Sequence, residues 1–197
     1  MTDIKARLQH DLQQCRDGLL WKLDGLGEYD LRRPVTPTGT NLLGLVKHVG
    51  GIVSGYLGEV LGRPVGDPPP WFADDPDEPN VDMWARPDET SEAVIDFYHN
   101  AWAHAAATVE ALDLDTTGTV PWWPAEHGEV TLHQMIVLII RETNRHTGHA
   151  DIIRELIDGT AGLRPDFDGL PEGDGTWWAD YRDRLEQAAH QAAGRPD

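Results

Sequence analysis

Apolar residues recur at spacings of three and four in four long segments, and the period-two alternation of strands is nearly absent. The first segment runs from about Thr2 to Leu26, with Ile4, Leu8, Leu12, Cys15, Leu19, Leu23 and Leu26 on one stripe. The second opens at Thr40 or Asn41, either of which can cap a helix, and runs to about Leu61, where Gly62 and Pro64 stop it. The third spans roughly Thr90 to Leu112 and turns Val94, Phe97, Ala101, Ala105, Val109 and Leu112 inward. The fourth opens on Thr131-Leu132-His133-Gln134, a capping-box pattern, and continues to Asp158, with Gly159 placed to end it. A last stretch, Asp174 to Ala193, predicts a short helix whose Trp177, Trp178, Tyr181 and Leu185 pack against the rest.

The connections set the topology. Gly27 to Gly39 reads as a loop around Pro34 and Pro37. Arg63 to Pro87 holds seven of the 14 prolines and the acidic run Asp74-Asp75-Pro76-Asp77-Glu78, a composition that excludes a helix. At ~3.3 Å per residue, a connection of about 25 residues can travel the whole length of a helix. The expectation is an all-α fold: one four-helix bundle over residues 1–197, helices at about 2–26, 40–61, 90–112 and 132–158, and an extension at 160–197. A crossover between the second and third helices makes the bundle up-down-down-up.

Composition then removes function classes. The chain of 197 residues carries 34 acidic and 16 basic side chains, a formal charge of −18, which opposes nucleic acid and anionic membrane surfaces. The longest apolar run, Met135 to Ile140, is too short to span a bilayer. The start, MTDIKARLQHDL, is charged and amphipathic, unlike a secretory signal. The single Cys15 sits on the first apolar stripe and reads as a small core residue, and one cysteine fits a reducing, cytoplasmic setting. Scarce Lys with frequent Arg, Ala, Asp and Gly suggests a high-GC bacterial genome.

The chemistry lies in the fourth helix. A seam in steps of four and three gives Met135, Ile139, Glu142, His146, His149, Ile153 and Leu156, apolar at both ends and Glu-His-His in the middle. Burying such groups costs several kcal/mol unless they are paired or hold a metal. The second helix offers a partner: beside its apolar face runs Gly44, His48, Gly51, Gly55, Gly58 and Gly62, a stripe that suggests close backbone approach or room for a ligand. Singly, His48 or Glu142-x-x-x-His146 reads as ordinary core or helix pairing. Together, His48, Glu142 and His146 point to a His2Glu metal site with an open position, as in catalytic sites. His149 is left as a fourth ligand, a partner of the ligands or a general base. His104, His127 and His133 can approach a cavity; His10, His99 and His190 have no constellation, and Arg145 and Asp151 fall off the seam.

These residues resemble the DinB superfamily of metal-binding bundles, and within it the actinobacterial mycothiol transferase-like branch. The matching stretches are Thr36 to His48, Tyr56 to Pro64, Arg86-Pro87-Asp88-Glu89-Thr90, Trp122-Trp123-Pro124, Val130-Thr131-Leu132 and, most specifically, Glu142 to Gly159. The resemblance covers nearly the whole chain through Gly159. It implies metal ligands at His48, Glu142 and His146. Many relatives carry His at the position of Glu142; the related mycothiol-dependent maleylpyruvate isomerase carries Glu. It also implies zinc or nickel, frequent homodimers, and a thiol S-transferase or thiol-dependent isomerase in which a low-molecular-weight thiol cosubstrate, mycothiol, attacks an electrophilic small molecule. A non-catalytic metal- or ligand-binding stress-response protein and a thiol-independent metal-assisted hydrolase are the alternatives.

Overall fold

The computed structural model describes residues 3–66, 69, 71 and 79–194. Over these the chain is mostly helical. Helix α1 covers Ile4–Leu20, α2 Glu28–Arg32, α3 Leu42–Leu57, α4 Ser91–Ala111, α5 Leu132–Asp158 and α6 Gly175–Ala193. The starts follow the capping residues. Asn41 accepts from the Gly44 backbone N–H at 2.8 Å, Thr90 caps α4, and Thr131 with Gln134 forms a full capping box on α5. The ends follow glycine: α5 stops at Gly159, whose φ of 79° is left-handed. α1 ends earlier than its apolar stripe, because the chain tightens into a 3-10 turn at Trp21–Leu23, which keeps Leu23 buried.

Four long helices, α1, α3, α4 and α5, line one apolar core. α3 lies along both α4 and α5, and α1 lies along α5. Leu12 and Leu19, Leu45, Val49 and Val53, Val94 and Val109, and Ile136, Ile139 and Ile153 meet there. Cys15 belongs to this core as expected; burial raises its thiol pKa, and the Asn144 side chain donates to its sulfur at 3.1 Å.

Three differences from the sequence expectation have physical causes. The chain is not purely α: Thr117–Thr119 (β1) pairs antiparallel with Glu129–Thr131 (β2), Gly118 opposite Val130. Three-residue strands are too short to show alternation. Second, the loop at 27–39 contains the short helix α2, pinned by the buried Leu31 and an Arg32–Glu28 ion pair one turn apart. Third, α6 does not pack into the core; none of its residues is buried. Trp177 stacks on Tyr181 at 5.3 Å and Trp178 meets both edge-on, so these rings cover one another on a single helix. The acidic run at 74–78 lies outside the described residues. Among those described, no helix is long and apolar enough to cross a membrane.

The segment that positions the site runs from Asn80 to Glu89. Asn80 takes a left-handed φ of 58°, which Asn tolerates, and starts a 3-10 turn at Val81–Met83. Lys47 on α3 holds this segment down: its ammonium donates to Val81 O at 3.1 Å, Trp84 O at 3.0 Å and Glu89 Oε2 at 2.7 Å. Gly44 permits the approach, since a Cβ there would lie 1.8 Å from the Met83 carbonyl oxygen.

Candidate metal centre

His48, Glu142 and His146 converge: each offers a ligand atom, and the three atoms lie within 4.8 Å of one another. α3 supplies His48 and α5 supplies the other two, one turn apart, so the pairing of these two helices builds the cluster. The His48 and His146 rings meet edge-on at 4.8 Å. His146 is buried, while His48 and Glu142 are half-buried. His146 Nε2 faces Glu142 Oε1 at 3.2 Å, and its Nδ1 is buried with no hydrogen-bond partner. Burial, and then the neighbouring His48, lower the His146 pKa and favour the neutral imidazole, the form that ligates metals.

His48 Nδ1 lies 2.6 Å from Asp82 Oδ2. The hydrogen bond to His48 lowers the Asp82 pKa, so the carboxylate is ionised and accepts, and Nδ1 donates. In the neutral ring that fixes the tautomer and leaves the lone pair on Nε2. A carboxylate behind a histidine is the usual arrangement for a metal ligand. Sequence periodicity could not reveal Asp82, because it sits in the proline-rich connection, which Lys47 and the Asn41 side chain, donating to Met83 O at 3.2 Å, hold against α3.

His149 departs from the seam. It is exposed, its ring centre is 5.4 Å from that of His146, and it is not among the three residues whose donors converge. Leu156 is 65% exposed as well. The buried face instead runs Met135, Ile139, Thr143, His146, Ala150 and Ile153. A strict 3.5-residue repeat drifts ~20° per heptad on a straight helix, so a seam followed from Met135 has turned toward solvent by His149 and Leu156.

The remaining histidines divide. His104 ties Arg63 O at 2.7 Å, a structural bond. His127 and His133 line an open hollow of about 570 Å³ away from the cluster. Asp151 pairs with the buried Lys22, so it holds α5 to the turn after α1.

A cleft of about 350 Å³ opens beside His48. Ile52, Tyr56, Trp71, Phe97 and Trp122 form apolar walls, and Gly51 and Gly55 of α3 lie along it. The glycine stripe therefore serves both expected purposes, close approach at Gly44 and space at Gly51 and Gly55. Trp122 is held against Tyr56 by an indole N–H to hydroxyl bond of 3.1 Å.

Fold and site together define a class: a helical protein with a His2Glu cluster whose His48 also lines an apolar cleft. The family model for mycothiol-S-transferase matches residues 7–159, and the chain belongs to that family. The match takes in most of α1 and all of α2 to α5, and ends before α6. No curated protein matches this chain.

Proposed function

We propose that this protein is a divalent-metal-dependent transferase that joins the sulfur of a small thiol, mycothiol, to an electrophilic small molecule. The carrying observation is the convergence of His48, Glu142 and His146 donors within 4.8 Å, in a chain whose family is mycothiol-S-transferase. The residues fit a metal: two imidazoles and a carboxylate suit zinc or nickel, and the buried unpartnered Nδ1 of His146 marks a site not closed by its own hydrogen bonds. When bound, the metal would lower the pKa of the thiol and favour the thiolate.

The chain's own residues do the rest. Asp82 holds His48 in one tautomer. Glu142 and His146 share one turn of α5, so their spacing is set by the helix. His149, exposed and next to His146, accepts the thiol proton and passes it to water. The sulfur lone pair then forms the new C–S bond, and the displaced group leaves with its bonding pair, or an activated double bond takes a proton from water at its far carbon. The four long helices form an up-down-down-up bundle in this reading, supported by the long connection between α3 and α4.

The test is metal analysis of purified protein together with mass-spectrometric detection of thioethers from mycothiol and a panel of alkyl halides, epoxides and activated alkenes. One equivalent of metal and thioether formation, both absent in His146→Ala, are expected. Conjugation that survives in His146→Ala sinks the proposal; turnover of ester or amide substrates without thiol points to the hydrolase instead.

A further inference from the structure

We infer that Tyr56 selects the ligand of the cleft beside His48: its hydroxyl donates a hydrogen bond to an uncharged oxygen, such as a carbonyl or ether, on an apolar molecule built around one ring. That this molecule is the electrophile rests on the transferase reading; the binding claim stands on the cleft itself. Tyr56 follows His48 by eight residues and Ile52 by four, so the three lie along one side of α3, and all three line the cleft. About 12 Å of helix axis separates His48 from Tyr56. The cleft therefore has two polar ends, the cluster at one and the phenol at the other, with Gly51, Ile52 and Gly55 between them on the helix. An apolar cavity of ~150 Å³ is enough for benzene, and this cleft offers about 350 Å³, room for a ring with a substituent. Trp71 and Phe97 meet edge-on at 6.3 Å, and Tyr56 and Trp122 at 5.3 Å, so its walls are aromatic.

The hydroxyl has a proton to give. It accepts from the Trp122 indole N–H at 3.1 Å and donates to none of the described residues. A hydroxyl that accepts one bond still holds its donor, and the accepted bond polarises the one it gives. The other side-chain donors among the described lining residues are used or shut away. Lys47 meets three acceptors, His48 Nδ1 faces Asp82, and the Trp71 indole nitrogen is buried. Glu59, exposed and one turn beyond Tyr56, is a carboxylate and only accepts. A ligand oxygen that enters between these walls loses water, and Tyr56 is the side chain that replaces it. A metal held by the cluster would offer that oxygen a second place at the opposite end of the cleft, and the test separates the two.

Propiophenone and propylbenzene share ring and chain, with and without the carbonyl. Their Kd values are to be measured on the full chain as purified, by NMR titration followed on the Trp indole N–H signals. Tyr56→Phe keeps the ring and removes only the hydroxyl. It should weaken propiophenone at least fivefold, leave propylbenzene within twofold and leave the metal content unchanged. Propiophenone affinity unchanged in Tyr56→Phe puts its oxygen on the metal and overturns the inference. Equal loss of both probes makes Tyr56 a wall and not a donor, and failure of both to bind the parent empties the cleft of this ligand class; either result overturns it as well. Neither probe forms a thioether, so a protein that conjugates nothing can pass this test, and one that conjugates mycothiol can fail it.

Discussion

Two polar clusters interrupt the apolar face of α3, one residue apart, and they end differently. At Lys47 the ammonium is fully used: three donors meet three acceptors, and the side chain is almost fully buried. At His48 the cluster stays open: Asp82 satisfies one nitrogen, while across from it His146 keeps a buried nitrogen with no partner. Burial costs both groups solvation. The closed cluster recovers it inside the protein and works as a clamp. The open one is left to recover it from something that binds. What separates the two is the donor set: Glu89 Oε1 in the clamp is also buried without a partner, but on the His48 side two imidazoles and a carboxylate bring ligand atoms within 4.8 Å of one another.

The contrast can be broken at several points. The largest effect is expected at the open cluster. His48→Ala or His146→Ala should lower metal affinity by at least 10³-fold, read by competition with a chelating dye, while circular dichroism keeps its helical signal. Retained affinity in either variant would mean that the three residues do not act as a ligand set. The closed cluster should respond in stability. Lys47→Met strands Glu89 as a buried unpaired charge, at a cost of about 3–5 kcal/mol in urea denaturation. Lys47→Met with Glu89→Leu should regain most of that. A double variant no more stable than the single one would refute the clamp.

Asp82 joins the two clusters, and the effect there is intermediate. Asp82→Asn should weaken metal binding about 10–100-fold with little change in urea midpoint, because the ligand is mis-oriented rather than lost. Metal affinity equal to the parent would detach Asp82 from the site. The smallest effect belongs to the exposed Asp158, which pairs with the buried Arg154 one turn earlier. Arg154 holds the Asp158 pKa down to about 2, below its ordinary value. A depressed carboxylate stabilises the fold above the unfolded pKa and loses that contribution as pH falls through about 2. Asp158 is exposed, so screening limits the gain to about 1 kcal/mol or less. Thermal melts of Asp158→Asn and parent should differ slightly at pH 5 and converge near pH 2; a gap that widens on acidification contradicts the assignment.

Much of the fold was legible because helices report themselves locally. Thr90, Asn41 and the Thr131–Gln134 box cap where their residue types say they should, and Gly159 terminates α5. The three residues that converge were legible for the same reason: one-turn spacing puts Glu142 and His146 on one face, and His48 stands on a stripe of glycines. His149 shows where periodicity stops helping, since a small error in repeat length accumulates along 27 residues of helix. α6 shows another limit. Its aromatic stripe has a core-like pattern, yet Trp177, Trp178 and Tyr181 cover one another, and pattern alone cannot tell self-stacking from packing.

The amino-acid order by itself determined which side chains share a helical face, where helices begin and end, and that −18 charges oppose polyanionic partners. Tertiary structure alone decided that Asp82 stands behind His48, that Lys47 is consumed by Glu89 and two carbonyls, and that Trp71, Phe97 and Trp122 wall a cleft beside the cluster. The reason is the range of the forces involved. Capping and periodicity act over one or two turns, whereas those contacts join residues more than 20 positions apart and exist only once α3 has packed against its neighbours.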